Sequence, residues 1–183
     1  MTQSIKEIAI ELTIFSGKMV LDDWMWRAFG YNKRPKRGAF FTKFISRSRI
    51  VRETFLIREI FIACCSSGLI ALSSKVDTDM ISKIIGLIID SLLNVDGVTA
   101  AFRFNSRREA ENYILEGINE YMKEDIGNFN TVLFDRAQSF TEEYINKRWL
   151  VSAARLIVDK DSPLVTINET TKELLNNAII YDI

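Results

Sequence analysis

Helix-breaking residues are scarce in this chain of 183 amino acids. It contains 8 Gly and only 2 Pro, Pro35 and Pro163, whereas β-sandwiches and barrels need many turns marked by these residues. The hydrophobic fraction of 48% and the charged fraction of 26% are typical of a soluble globular protein. Composition alone therefore favours an all-α fold.

Apolar residues recur at helical spacings along most of the first half of the chain. Residues 5–20 also alternate like a strand, but the length of this segment favours a helix. A short helix is expected over residues 22–30. The pattern over residues 39–72 predicts one long amphipathic helix with a basic outer face, which bends or frays at Ser66-Ser67-Gly68.

Four further helices are predicted after residue 76. Asp77 or Thr78 is suited to cap a helix whose broad isoleucine stripe belongs to the core. Ser106 and Glu109 fit the capping box that opens a helix, which then extends to Gly127. The last two helices are expected over residues 140–158 and from about residue 169 onward, whereas only residues 98–104 and 164–167 resemble strands.

The sequence shows no internal repeat, no low-complexity tract and no inter-domain linker. A chain of this length buries about 70% of the surface that its unfolded form exposes, so one core is stable without disulfides. We therefore predict a single globular helical domain over residues 1–183. Its fold is an all-α bundle of about six or seven helices, with room for a minor β-hairpin.

Two features bear on where the protein resides. The apolar stretch 55–72 approaches the length of a membrane span, but it contains Arg58 and Glu59, which favours a buried core helix. The adjacent residues Cys64 and Cys65 cannot bridge within a helix, and we interpret them as buried thiols of a reducing compartment. Since no secretory signal is recognisable, we expect a cytoplasmic protein with no membrane span.

The chain lacks the residues that most kinds of catalytic site require. The chain has no histidine, which excludes Ser-His-Asp and Cys-His centres and every histidine metal site. Two adjacent cysteines are too few for a zinc site, and the glycines are too scattered for a phosphate-binding loop. We therefore predict a non-enzymatic protein with no catalytic residues, no metal and no cofactor.

One enzymatic alternative stays open. Glu116, Glu120 and Glu124 follow one another at intervals of four residues and so form a column along one helix face. Such a column could hold Mg²⁺ in a phosphohydrolase, although a solvated helix face is the simpler interpretation.

The strongest functional signal is a local excess of positive charge. Between Arg27 and Arg58 the chain carries ten Lys or Arg residues and one acid, Glu53, although its formal net charge is zero. Aromatic residues interleave with these cations, and the combination suits anionic partners because guanidinium groups bind carboxylates or phosphates while rings stack or anchor. The predicted partner-binding residues are Trp24, Trp26, Arg27, Lys33, Arg34, Lys36, Arg37, Lys43 and Arg47.

Three interpretations of this segment compete. In the first, the rings belong to the core and the cations form a solvated rim. In the second, Trp and Arg side chains dock on an acidic protein, since these residue types often dominate interfaces. In the third, the segment binds nucleic acid, although a sequence pI of about 6.4 argues against it.

We predict a small regulator or inhibitor, comparable in kind to immunity proteins, which docks on an acidic protein partner through the surface from Trp24 to Arg58. Nucleic-acid binding through the same segment is the alternative. Because the rest of the chain is acidic, self-association between copies also stays open.

Overall fold

Six α-helices make up most of the described chain. The computed structural model describes residues 2–21, 47–94, 102–139, 151, 154, 162–175 and 179–181. The helices in these ranges are α1 (Ile5–Leu21), α2 (Arg47–Leu72), α3 (Thr78–Leu93), α4 (Arg107–Tyr121), α5 (Phe129–Ser139) and α6 (Pro163–Leu175). A 3₁₀ turn (Ile126–Asn128) and two short strands, β1 (Thr2–Ser4) and β2 (Ile179–Tyr181), complete the described elements. The prediction of an all-α bundle with a minor strand element is confirmed.

Helix α2 forms the centre of the bundle. Every residue from Glu53 to Leu69 is buried, because α1, α4 and α6 all pack against this helix. The segment Glu53–Leu72 is long and apolar enough to cross a membrane, but 94% of its apolar window is buried inside the protein. It is therefore the core helix that the sequence predicted. The expected basic outer face is wrong for this part of α2, since other helices cover it.

Helix α2 continues through Ser66-Ser67-Gly68 to Leu72, so it does not fray at these residues. The Ser66 hydroxyl donates to the carbonyl of Ile62 one turn back, and the Ser67 hydroxyl donates to a carbonyl of α6. A Cβ atom at Gly68 would collide with Leu12 of α1. These small residues allow close helix packing, whereas in the sequence the same residues suggested fraying.

Two predicted helix starts are confirmed. Asp77 caps α3, and its carboxylate accepts a hydrogen bond from the backbone N–H of Met80 at 2.8 Å. Ser106 caps α4, and its hydroxyl accepts from the N–H of Glu109 at 3.1 Å. The Glu109 carboxylate reaches back to the N–H of Asn105 at 2.8 Å, one residue before the cap. Both caps satisfy amides that have no partner within the helix.

The minor strand element is a parallel pair rather than a hairpin. Thr2 pairs with Ile179 and Ser4 with Tyr181, so the strands come from opposite ends of the described chain. Helix α1 starts directly after β1 because Ser4 and Glu7 form a capping box. The Ser4 N–H donates to the Glu7 carboxylate at 2.9 Å, and the Glu7 N–H donates to the Ser4 hydroxyl at 3.2 Å.

Two other predictions need correction. Residues 164–167 resemble a strand in sequence but form the first turn of α6, where Pro163 occupies a starting position that suits its fixed φ. Helix α4 ends at Tyr121 rather than at Gly127, and α5 was not predicted at all. The helix expected over residues 22–30, and most of the helix over 140–158 and of the strand over 98–104, lie outside the described residues.

Candidate functional site

Most of the predicted partner-binding residues lie outside the described part of the structure. The exception is Arg47, which is the first residue of α2. The predicted residues outside the described part are Trp24, Trp26, Arg27, Lys33, Arg34, Lys36, Arg37 and Lys43. The far end of the basic segment is described. Arg58 is 6% exposed and Glu53 is 2% exposed, so the prediction of a docking surface that extends to Arg58 is wrong.

Arg58 fastens the turn before α4 to the central helix. Its Nε donates to the carbonyl of Phe102 and its Nη2 to the carbonyl of Arg103, both at 2.7 Å. Its guanidinium group lies 3.9 Å from the ring centroid of Phe104. Arg103 has a positive φ of 54°, which is unfavourable for a residue with a side chain. Burial lowers the pKa of Arg58, although nearby Tyr113 and acidic residues oppose this effect.

A buried polar cluster joins α2, α4 and α5. We call it the Glu59 cluster, and it consists of Glu59, Tyr113, Glu120, Tyr121 and Arg136. One carboxylate oxygen of Glu59 accepts from the Tyr113 hydroxyl at 2.5 Å, and the other accepts from the Tyr121 hydroxyl at 3.1 Å and from Arg136 Nε at 2.8 Å. Arg136 Nη1 also donates to the carboxylate of Glu120 at 2.7 Å.

The electrostatics of the Glu59 cluster follow from its burial. The Glu59 side chain is fully buried and that of Arg136 is 10% exposed, whereas that of Glu120 is 47% exposed. Burial and the charge of Glu59 raise the pKa of Tyr113 and of Tyr121, so both remain neutral hydrogen-bond donors. Burial alone would lower the pKa of Arg136, but the charge and hydrogen bond of Glu59, together with the effects of Tyr113 and Glu120, outweigh burial, and the net shift is upward.

This cluster suits structural support better than catalysis. Glu59 accepts three hydrogen bonds, and its strongest partner is a cation that a second carboxylate also binds. A general base needs a lone pair directed at a substrate, whereas Glu59 is fully buried and both of its oxygens face hydrogen-bond donors of α4 and α5. The cluster was not predicted from sequence, because the spacing along α2 does not show which residues of α4 and α5 face Glu59.

Two of the three carboxylates in the predicted column, Glu116, Glu120 and Glu124, already have partners within the protein. Glu120 binds Arg136, and Glu124 accepts a long hydrogen bond of 3.4 Å from the side chain of Asn128. Within the described ranges, no group of three or more Cys, Asp or Glu residues is arranged to hold a metal ion.

The two cysteines are buried thiols, as predicted. Cys64 and Cys65 are both 0% exposed, and the Cys65 thiol donates to the hydroxyl of Ser16 on α1 at 3.3 Å. Burial raises the pKa of Cys65 to about 12 and that of Cys64 well above its usual value. Neither thiol has the exposure or thiolate character that a reactive cysteine needs.

A groove of about 250 Å³ lies between α1 and α6. Its apolar lining comes from three helices and consists of Ile8, Leu12, Ile14, Phe15, Leu72 and Ile167. Its polar lining consists of Gln3, Glu11, Lys18, Thr170 and Thr171. The groove exists because α1 and α6 both pack against α2. It was not predicted from sequence, since the face of α1 toward α6 has an ordinary amphipathic pattern.

The described geometry defines an all-α bundle with a buried ion pair at its centre and an apolar groove on one side. The chain matches no protein-family model, no curated protein and no solved structure. Arguments about function therefore depend on the chemistry of its own residues.

Proposed function

We propose that this protein acts by binding, and that it docks on an acidic protein partner through the segment from Trp24 to Arg52. The observation that carries this proposal is the charge of residues 27–52, which include nine Lys or Arg and no Asp or Glu. Glu53 and Arg58, which flank this run, are both buried. Neither of these side chains is therefore accessible for direct contact with a partner.

An acidic protein is a better match to this segment than nucleic acid. Trp24 and Trp26 stand directly before the first cation, and Trp and Arg are the residue types that most often dominate protein interfaces. The formal net charge of the whole chain is zero, which weakens the long-range attraction that nucleic-acid binding needs. The resulting class is a small non-enzymatic regulator or inhibitor.

The test uses a poly-glutamate peptide as an acidic probe. Two of the three tryptophans lie in the segment, so on a Trp149→Phe background their fluorescence reports binding. We expect saturable binding that the combined variant Lys33→Glu, Arg34→Glu, Lys36→Glu and Arg37→Glu abolishes. The matched control reverses four exposed cations elsewhere, Lys6, Lys75, Arg108 and Lys123, and should retain binding.

Two outcomes contradict this proposal. Equal loss of binding in the control variant would show that only net charge matters. Tighter binding to duplex DNA or RNA than to poly-glutamate, with an affinity that falls steeply with log salt, would favour the nucleic-acid alternative.

The proposed compartment is the cytoplasm. Cys64 and Cys65 are free thiols in the core, as is usual for proteins of a reducing environment. Fractionation of the source cells with an antibody against the chain tests this assignment, and recovery in a secreted or membrane fraction would contradict it.

A further inference from the structure

We propose that the groove between α1 and α6 is a binding site for a small amphiphile with an anionic head group and an alkyl chain of medium length. This inference is independent of the proposed function and uses only described residues. It depends on the size of the groove, on its lining and on the position of one cation.

The size of the groove sets the size of the ligand. An apolar cavity of about 150 Å³ holds benzene, which has six heavy atoms. The groove has a volume of about 250 Å³. In proportion, it accommodates about ten heavy atoms, which corresponds to a carboxylate with about eight carbons.

The direction of the groove follows from how α1 and α2 pack. Leu12 lies against Gly68, and Ser16 lies against Cys65. Residue numbers therefore increase along α1 while they decrease along α2, so the two helices are antiparallel. It follows that Leu72 lies at the Ile8 end of the groove. Lys18 follows Ile8 by ten residues in α1, which corresponds to about 15 Å along the helix. This length suits an extended alkyl chain.

Lys18 provides the charge that selects the head group. It is exposed at the end of the groove opposite Leu72, and no described carboxylate forms an ion pair with it. Glu11, the other charged lining residue, is seven residues or about 10 Å away along the helix. At physiological ionic strength that distance exceeds the Debye length of about 8 Å, so Glu11 repels an anion at Lys18 only weakly.

Gly68 makes the groove testable without changing any residue that lines it. A methyl group at this position would collide with Leu12 Cδ2, which is the end of a flexible side chain. In the variant Gly68→Ala, Leu12 therefore has to turn away from α2, and the space open to it is the groove. Gly17→Ala is the matched control, since a Cβ atom at Gly17 meets nothing within 4 Å.

The experiment titrates octanoate into the full chain by calorimetry, with octan-1-ol and octylamine as matched probes. We expect saturable octanoate binding with a Kd on the order of 1 mM or tighter. Lys18→Gln should weaken octanoate binding about two- to fivefold, the size of an exposed ion pair, and leave octan-1-ol binding unchanged. Gly68→Ala should weaken both probes, and Gly17→Ala neither.

Several outcomes would overturn the inference. The absence of saturable octanoate binding is one, and unchanged binding in a folded Gly68→Ala variant is another. Tighter binding of octylamine, lost in Glu11→Gln, would show that the groove selects cations. A dimer that Gly68→Ala dissociates and that leaves octanoate unbound would show that a second copy of the chain occupies the groove. Circular dichroism of each variant establishes that it is folded before it is titrated.

Discussion

Glu59 is a charged residue in the buried part of the central helix α2, and its partners explain how it can be there. Removing a carboxylate from water costs several kcal/mol, and a single ion pair often fails to compensate. Here two tyrosine hydroxyls and one guanidinium group satisfy both oxygens. Because these donors belong to α4 and α5, the charge of Glu59 fixes how both helices dock on α2. Loss of that charge should therefore affect the whole bundle.

We expect Glu59→Gln to lower the free energy of unfolding by about 3 kcal/mol, because it leaves Arg136 buried beside a neutral partner. Glu120→Gln is the matched control, since Glu120 binds the same guanidinium group from a half-exposed position. That substitution should cost less than about 1 kcal/mol. Urea denaturation at neutral pH measures both values. Equal losses of unfolding free energy in the two variants would show that the buried ion pair with Glu59 stabilises the protein no more than the half-exposed pair with Glu120.

The buried thiols predict a dependence of stability on alkaline pH. The pKa of Cys64 and of Cys65 is raised in the folded state, so their contribution is complete below the unfolded-state pKa of about 8.5. As the pH rises further, the unfolded chain loses these protons first, and each thiol lowers the free energy of unfolding by about 1.4 kcal/mol per pH unit.

The variant Cys64→Ala/Cys65→Ala should therefore lose stability less steeply than the native chain between pH 9 and 10. Denaturant titrations under reducing conditions measure the two slopes. Parallel curves would show that the thiols are deprotonated as easily in the folded protein as in the unfolded chain.

At the level of whole elements, the sequence correctly predicted the helices that have a capping residue at their start and an apolar stripe along one face. Helix α3 has a capping aspartate and a broad isoleucine stripe, and α4 has Ser106 at its start. The errors occurred where tertiary contacts decide the structure. Residues 164–167 contain β-branched side chains that suggest a strand, yet they lie in α6, which packs on α2. Periodicity within one segment does not report such contacts.

The features of the candidate site also differ in whether the sequence alone could predict them. The charge of residues 27–52 can be counted directly from the sequence. The Glu59 cluster and the groove each bring together side chains from three helices. Spacing along one helix could not have revealed either of them.

Gly117 lies at a close contact between three helices that could not be predicted from the sequence. It lies on α4 where α2 and α5 meet, and a Cβ atom there would be 2.9 Å from Arg136 Nη2 and 3.0 Å from two carbons of Ile62. We expect Gly117→Ala to lower the free energy of unfolding by about 1–3 kcal/mol, the usual cost of overpacking. The substitution should also disturb the bond between Arg136 and Glu59.

Gly86→Ala is the control for this substitution, because Gly86 is also helical but a Cβ atom there meets nothing within 4 Å. Removing a helical glycine should raise stability by about 0.5–1 kcal/mol. Thermal and urea denaturation of the two variants should therefore show shifts of opposite sign. A gain in stability in both variants would contradict the close packing at Gly117.

For the molecule as a whole, the important property is the separation of charge within a neutral chain. All charged residues in 27–52 are cations, whereas residues 107–139, which form α4, α5 and the turn between them, contain seven Asp or Glu and four Lys or Arg. The exposed acids there include Glu116, Glu124, Asp125 and Asp135, so this part of the chain is acidic on balance. A surface of one sign on one copy can meet the opposite sign on the next copy. Such contacts can repeat from copy to copy in a series, or two copies can pair both surfaces reciprocally in a closed dimer.

We therefore expect reversible self-association at low ionic strength, seen in sedimentation velocity as a mean mass that rises with concentration. Raising the salt from about 50 to about 500 mM should restore the monomer, because the Debye length then falls well below 10 Å. The variant Lys33→Glu, Arg34→Glu, Lys36→Glu and Arg37→Glu should remain monomeric at low salt. Reversal of Lys6, Lys75, Arg108 and Lys123 changes the net charge equally but spares residues 27–52, so it should still associate. A monomer at every salt concentration, or a dimer that salt does not dissociate, would show that charge separation does not drive assembly.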